Sequence, residues 1–218
     1  MVKSCQIPGL SDIYEYYFGS NAKGRFVDVG SFDGCTWSNT FPLADNGWEG
    51  LLVEPLLEPC LVSRIVYAGN PKIDIVNCCA GNFIGEVQLF EGGALSTIVP
   101  AMVDVYNELE WAKSAGLSRD KITSVRISTL DEMLTERGWR PGIDLVVIDV
   151  EGSELQVLEG FSLGKWRPVM LIVECHEADP HPVLSQNAPE INARLHRNGY
   201  NRIFSDHINN IYIRNDVK

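Results

Sequence analysis

Two apolar segments of the sequence end in side chains that can take up a proton. The segment "IDLVVIDVE" carries Asp149 and Glu151 at its end, and the segment "PVMLIVECH" carries Glu174 and His176. A histidine has an unperturbed pKa near neutrality, and burial raises the pKa of a carboxyl group toward the same range. Asp149, Glu151, Glu174 and His176 are therefore candidates for a general base that removes a proton from a hydroxyl group.

The same four residues have other interpretations. Asp149 could bind the amino group of a ligand, Glu151 could lie near the start of the next helix, where the dipole favours an acid, and His176 could belong to a polar turn. Three carboxylates and a histidine could also hold a divalent cation, because such ions prefer oxygen ligands. We expect a base that acts without a metal and rank the cation below it, because the sequence does not fix the geometry that a cation needs.

A loop bracketed by two glycines follows an earlier apolar segment, in "FVDVGSFDG". Gly30 and Gly34 permit positive φ angles and a close approach of the backbone to a ligand. Glu54 ends the next apolar segment, "GLLVE", roughly 20 residues or a little more beyond the loop, where an acid can bind both hydroxyls of a ribose. The loop and the acid together predict a ligand of the adenosine type.

Asp33 bears on the choice between two adenosine ligands, NAD and S-adenosylmethionine. A dinucleotide requires a third glycine for close approach of its pyrophosphate, whereas this loop contains Asp33 and continues into Thr36 and Trp37. A carboxylate beside a pyrophosphate is unfavourable, while a cationic sulfonium tolerates acids. S-adenosylmethionine is therefore favoured over NAD, and an NAD-dependent oxidoreductase is the less favoured alternative.

Alternating strands and helices must position these side chains. The predicted strands are 25–29, 50–54, 73–79, 85–93 (as a hairpin arm), 124–128, 143–150, 168–174, 202–204 and 210–214. The predicted helices are 11–18 between Ser11 as N-cap and Gly19, 38–46, a stretch ending near 68, 101–115, 130–137, a helix ending at Gly160 after a Ser153–Gln156 capping box, and 189–198. This order predicts an α/β protein with a mostly parallel sheet, whose ligands lie beyond the carboxyl ends of the strands.

Composition limits the classes of partner. The chain has 218 residues and a net charge of -11, which disfavours nucleic acid and anionic membrane surfaces. We expect no membrane insertion, since no stretch reaches the roughly 20 apolar residues of a membrane span. Its six cysteines form no Cys-x-x-Cys pair, so we expect buried thiols in a reducing cytoplasm. The predicted organisation is an N-terminal helical extension, 1–24, and one domain, 25–218, with an insert at 85–124.

Four segments together resemble the FkbM family of S-adenosylmethionine-dependent methyltransferases, over roughly residues 25–214. They are "FVDVGSFDG", "LLVEP", "IDLVVIDVEGSELQVLEGF" and "VMLIVECHE". The resemblance implies a class I methyltransferase (Rossmann-like) fold, with a mostly parallel seven-stranded sheet, an antiparallel last strand and helices on both faces. It also implies O-methylation of a hydroxyl group on a small molecule or a carbohydrate.

The resemblance also assigns the donor site. It implies that Asp28, Gly30 and Gly34 shape the donor loop, and the full set of expected donor-binding residues is Asp28, Gly30, Ser31, Phe32, Gly34, Glu54, Pro55 and Ala80. The family commonly carries a lysine two residues before Asp149, where this chain has Val147. A methyltransferase-like module that binds the donor without catalysis is therefore an alternative.

Overall fold

The computed structural model of the protein describes residues 6–19, 23–176 and 181–217. In these ranges the strands are β1 (Arg25–Val29), β2 (Glu49–Glu54), β3 (Ile73–Asn77), β4 (Cys79–Ala80), β5 (Gly85–Phe90), β6 (Ile122–Ser128), β7 (Leu145–Ile148), β8 (Met170–Glu174), β9 (Tyr200–Ser205) and β10 (Asn209–Arg214). The helices are α1 (Leu10–Phe18), α2 (Phe41–Asp45), α3 (Leu57–Val66), α4 (Pro100–Glu108), α5 (Leu130–Glu136), α6 (Glu154–Glu159), α7 (Leu163–Trp166), α8 (Pro182–Ser185) and α9 (Ala188–Arg197).

Seven strands form the main sheet in the order β3-β2-β1-β7-β8-β10-β9. The pairs β3–β2, β2–β1, β1–β7 and β7–β8 are parallel, whereas β10 runs antiparallel to both of its neighbours. The predicted fold class, with its antiparallel last strand, is confirmed. The strand order reverses between β1 and β7, and ligands of such sheets bind in the crevice at that switch point.

The central strands are buried because helices cover both faces of the sheet. All residues of β7 and β8 are buried, which explains why their sequences are almost continuously apolar. One core cluster joins the sheet to α5, α6, α7 and α9, and a second joins it to α1 and α2. In α1, the aromatic residue Tyr14 is buried and Phe18 packs on Trp48 at a ring distance of 5.1 Å, so this helix shares the core of the main sheet.

A second, three-stranded sheet has the order β4-β6-β5. The alternating pattern predicted that 85–93 forms a hairpin arm, but β5 ends at Phe90 and pairs antiparallel with β6, far along the chain. The predicted strand 73–79 is interrupted, because β4 leaves the main sheet and pairs with β6 instead. These pairings depend on contacts that are distant in sequence.

Some predicted boundaries were wrong. α1 begins at Leu10, with Gly9 at φ 75 as its N-cap in place of Ser11. α2 begins at Phe41, because Pro42 fits only its first turn and Ser38 Oγ accepts a hydrogen bond from the backbone N–H of Phe41 at 3.0 Å. The short helices α7 and α8 were not predicted.

Two further expectations concern cysteines and membranes. Cys60, Cys78, Cys79 and Cys175 are buried, as expected of small apolar side chains. Cys35 is only half-buried, contrary to that expectation, and Cys5 lies outside the described residues. Across the part of the chain that the structure describes, no helix combines the length and the apolar character needed to cross a membrane.

Candidate active site

The candidate site lies at the carboxyl ends of β1, β2, β7 and β8, where the strand order reverses. Its centre is the contact between β1 and β7, in which the N–H of Asp149 donates to the carbonyl of Val29 at 3.0 Å. Gly30 has φ +82, and a Cβ added there would lie 1.6 Å from the carbonyl oxygen of Asp149. Only glycine therefore permits the two strand ends to meet. The close approach was predicted for a ligand, and here it is made by the backbone of Asp149.

Glu54 fixes the loop that follows β1. Its carboxylate is buried and accepts hydrogen bonds from the N–H of Phe32 at 3.1 Å and of Leu56 at 2.8 Å. Burial raises the pKa of Glu54 to about 7, an effect that these two N–H groups only partly offset. Each carboxylate oxygen can accept more than one hydrogen bond, so Glu54 ties the loop to β2 and can still bind hydroxyl groups.

Asp33 does not face the predicted ligand. Its carboxylate caps its own turn, accepting from the N–H of Cys35 at 2.9 Å and of Thr36 at 2.7 Å. Although burial alone would raise the pKa of Asp33, its hydrogen bonds with Thr36 and Cys35 lower it. Asp33 lines an open groove of about 730 Å³ beside α3 and neither of the two cavities described next. The sequence argument assumed that the Asp33 carboxylate lies beside the pyrophosphate of a dinucleotide. That placement was wrong, because Asp33 lines neither cavity at the switch point.

Four carboxylates line a cavity of about 220 Å³ at the switch point, the first cavity: Asp28, Asp149, Glu151 and Glu174. One oxygen each from Asp149, Glu151 and Glu174 lies within 4.8 Å of the others. The Glu174 carboxylate is also paired with His176, whose Nε2 lies 2.9 Å from Oε1. The structure thus brings together all four residues that the sequence singled out for proton transfer.

The ionisable side chains of the first cavity are carboxylates and one histidine, apart from the hydroxyl of Tyr106. Burial raises the pKa of Asp28 to about 7 and the pKa values of Glu151 and Glu174 well above their usual range, with neighbouring carboxylates adding to each shift. Burial likewise raises the pKa of Asp149. Among the described residues that line this cavity, none is a lysine or an arginine. Near neutral pH the cavity therefore retains protons and favours cationic ligands.

The turn after β7 presents Glu151 to this cavity. Glu151 has φ 57, and its carbonyl accepts a hydrogen bond from Thr97 Oγ1 at 2.7 Å. Glu154 Oε1 accepts from the N–H groups of Val150 at 3.2 Å and Gly152 at 2.9 Å. The predicted capping box was wrong, because Ser153 makes no side-chain cap and Glu154 closes the turn in its place.

A second cavity, about 40 Å³ in volume, adjoins the first on the β2 side. It is lined by Glu54, Pro55 and Ala80 from the predicted donor set. The walls that it shares with the first cavity are Gly30, Phe32, Ala94, Asp149 and Glu151. Asp28 and Ser31 line the first cavity alone, and Gly34 lines neither, because it packs against Tyr67 beneath the loop.

Sequence reasoning missed several lining residues. Tyr106, on α4, donates a hydrogen bond from its hydroxyl to Glu151 Oε2, and Gln6 Nε2 donates to Asp149 Oδ2 at 3.4 Å. Trp37 and Trp111 also line the first cavity. No motif marked Gln6. Tyr106 and Trp111 both fall in the predicted helix 101–115, and their rings make an edge contact at 5.9 Å.

Comparison with known proteins gives one family. Residues 28–202 match the family described as the methyltransferase FkbM domain. A search of curated proteins finds no significant match in sequence.

Solved structures share the fold at low identity. The methyltransferase FkbM from Methylobacillus flagellatus KT has 16% identity and a TM-score of 0.56, over 90% of this chain and 46% of that chain. Monomeric WbdD has 14% identity and a TM-score of 0.50, over 98% and 42% of the two chains. The methyltransferase domain of METTL16 has 12% identity and a TM-score of 0.52, over 94% and 66%. The present chain thus spans less than half the length of the first two proteins.

Proposed function

Because the chain belongs to the FkbM methyltransferase family, we propose that it transfers a methyl group from S-adenosylmethionine to a hydroxyl group of a small molecule or a carbohydrate. The observation that carries the proposal is the pair of joined cavities at the switch point. One is bordered by the acid that ends β2, and the other by the carboxylates and histidine that follow β7 and β8.

The residues present fit the donor. Glu54 would bind the ribose hydroxyls, with Pro55 and Ala80 beside the base, and Asp28 would face the amino group. Ser31 Oγ is buried and has no hydrogen-bond partner within the described residues, so it is available to a ligand in the first cavity. The second cavity, about 40 Å³ in volume, is too narrow for the adenine ring of the donor as it stands, so its walls must separate to admit that ring.

When bound, the donor supplies an electrophilic methyl group on a sulfonium. The protein has to align the acceptor oxygen with this group and take up the hydroxyl proton. Proton uptake by the Glu174–His176 pair is supported by its position in the lining of the first cavity and by the 2.9 Å contact between His176 Nε2 and Glu174 Oε1. Trp37 and Trp111 supply flat apolar walls against which an acceptor ring can pack.

Calorimetric titration tests the donor assignment. We expect S-adenosylhomocysteine to bind and NAD(H) not to bind, and we expect Glu54→Ala to weaken binding by about 1–3 kcal/mol, the range for lost hydrogen bonds to a charged group. Glu58→Ala, an exposed acid in α3, is the matched control and should leave affinity unchanged. Circular dichroism checks that Glu54→Ala still folds, since it also frees two N–H groups of the loop.

Three other results would count against the proposal. Binding of NAD(H) alone would favour an oxidoreductase, and unchanged affinity in Glu54→Ala would remove Glu54 from the ribose site. Binding of the donor with no transfer to any hydroxyl acceptor would favour a non-catalytic module. That alternative rests on Val147, which lines the first cavity where the family commonly has lysine.

A further inference from the structure

Asp149, Glu151 and Glu174 form a cluster whose charge the protein leaves unbalanced. They come from the ends of two neighbouring strands, and oxygens of all three lie within 4.8 Å of one another. Carboxylates this close repel one another, and a cation between them would relieve that repulsion. The described lining of the first cavity offers no lysine or arginine for this purpose.

Each of the three carboxylates is oriented by a donor from outside the cluster. Gln6 Nε2 donates to Asp149 Oδ2 at 3.4 Å, and the Tyr106 hydroxyl donates to Glu151 Oε2. His176 Nε2 lies 2.9 Å from Glu174 Oε1. All three residues line the first cavity, and one oxygen of each lies within 4.8 Å of the others. Outer hydrogen bonds that fix one oxygen and present the other are typical of carboxylates that ligate a metal.

Ser31 supplies an independent sign of a missing ligand. It is 5% exposed, it lines the same cavity, and its Oγ has no hydrogen-bond partner in the described part of the chain. A buried hydroxyl normally finds a partner, and a ligand or an ordered water of an ion's hydration shell would provide one.

We infer that Asp149, Glu151 and Glu174 together bind a divalent cation of the oxygen-preferring class, Mg²⁺, Mn²⁺ or Ca²⁺. Three carboxylates without a thiolate select these ions over Cu⁺ or a zinc site of the cysteine type. The remaining positions around the ion face the cavity, where water or an acceptor oxygen can occupy them. This assignment reverses the expectation from the sequence that the base acts without a metal.

If the proposed function holds, the ion would also take part in the methyl transfer. A hydroxyl group that coordinates a divalent cation loses its proton more readily. Its O–H bond would break with the proton passing to water in the cavity, and the oxygen would then attack the methyl carbon as the bond from that carbon to sulfur breaks. The ion also offsets the mutual repulsion of the three carboxylates.

Titration of the full chain with MnCl₂, MgCl₂ and CaCl₂ tests the site directly. Mn²⁺ is followed by electron paramagnetic resonance, and all three ions by calorimetry. We expect one saturable site per chain with a dissociation constant below ~1 mM, the weak end of protein calcium sites. Glu174→Gln and Glu151→Gln should each weaken binding at least about tenfold, because a ligand charge is lost.

Asp28→Asn is the matched control, because Asp28 is a buried carboxylate of the same cavity outside the trio. It should retain binding within a few-fold. No saturable binding of any of the three ions to the wild type would overturn the inference. Equal losses in Asp28→Asn and Glu174→Gln would also overturn it, since they would indicate general attraction to an acidic cavity.

The same preparations separate this inference from the proposed function. S-adenosylhomocysteine is titrated into the wild type in the presence of EDTA. Donor binding in EDTA without any ion site would retain the methyltransferase assignment and remove the cation. An ion site without donor binding would keep the cation and refute the methyltransferase assignment.

Discussion

The carboxylates of the first cavity are held where their own charge is disfavoured. Burial is the largest cause of the raised pKa of Asp28, and the nearby Asp149 adds to it, while the hydrogen bond from Thr40 Oγ1 at 2.5 Å lowers it again. A cationic ligand in the cavity would favour the ionised carboxylates and so lower their pKa values. Ligand binding and ionisation of the cluster are therefore coupled, and protons leave when a positive charge enters.

The raised pKa values predict how the stability of the ligand-free protein depends on pH. The pKa of Asp28 is about 7 in the folded protein against 3.8 ordinarily, so the folded state binds more protons than the unfolded state between those values. Stability is therefore greatest below the ordinary pKa and is lost as the pH rises through 7. We expect the free energy of unfolding to fall by roughly 1–3 kcal/mol between about pH 5 and about pH 8, as measured by urea unfolding.

Asp28→Asn removes one of the groups responsible, so its pH dependence should be shallower than that of the wild type. Asp45→Asn, at an exposed position in α2, should retain the wild-type slope. A stability that rises with pH over this range, or equal slopes in wild type and Asp28→Asn, would contradict the assignment.

At the scale of elements, the site depends on how closely β1 and β7 end beside each other. Their parallel register pairs Val29 with Ile148, so that the next residues, Gly30 and Asp149, meet at the sheet edge. The loop from Gly30 is then bound on its other side by β2, through the carbonyl of Val53 and the carboxylate of Glu54. Three strands thus hold the loop that follows β1.

Gly30→Ala tests this arrangement. The added Cβ would collide with the carbonyl of Asp149 and would require φ +82 of a residue with a side chain. We expect the free energy of unfolding to fall by at least about 1–2 kcal/mol. We expect affinity for S-adenosylhomocysteine to fall by roughly tenfold or more, as the loop shifts. Urea unfolding and calorimetry measure the two effects.

Gly164→Ala is the control, because nothing lies within 4 Å of its added Cβ and the position is in α7. It should be neutral or stabilise the protein by about 0.5–1 kcal/mol, the usual gain of alanine over glycine in a helix. If Gly30→Ala matched this control in stability and affinity, the close contact of β1 and β7 would not govern the loop that follows β1.

The segment between β5 and β6 completes the first cavity from the side. α4 carries Tyr106 to Glu151, and the turn before it places Ala94 and Leu95 in the lining. The segment is joined to the main sheet through Thr97, which donates to the carbonyl of Glu151. Residues 85–124, which we treat as an insert in the domain 25–218, are thus part of the candidate site.

At the scale of the whole molecule, the net charge of the chain and the ionisable groups of the first cavity are both acidic. The chain carries a net charge of -11, and the first cavity adds buried carboxylates at its centre. Long-range attraction therefore favours cationic over anionic ligands. Phosphorylated acceptors should be disfavoured relative to neutral ones.

The same charge predicts that nucleic acid is not a partner. Fluorescence anisotropy with labelled single-stranded RNA and duplex DNA should show no saturable binding at physiological salt, because the phosphate backbone is repelled. Binding that weakens steeply as salt increases would contradict this prediction and would direct attention to the basic residues of the groove beside α3, Lys121 and Arg126.

The sequence by itself determined the sheet and the edge at which the site lies. Continuous apolar segments specify β7 and β8, and acids that end such segments must meet because parallel strands place their carboxyl ends at one edge. For that reason the sequence predicted that Asp149, Glu151, Glu174 and His176 lie at one edge, and all four line the first cavity. Gly30 was found because a tight turn after a strand requires a residue that tolerates positive φ.

Only the tertiary structure decided which way the remaining side chains face and what they contact. Asp33 turns to its own backbone, Glu54 ties down the loop, and Gln6 and Tyr106 arrive from segments far along the chain. Local sequence patterns do not specify such contacts, because they depend on the packing of distant elements. The convergence of three carboxylates within 4.8 Å, and hence the case for a cation, exists only once those elements have packed.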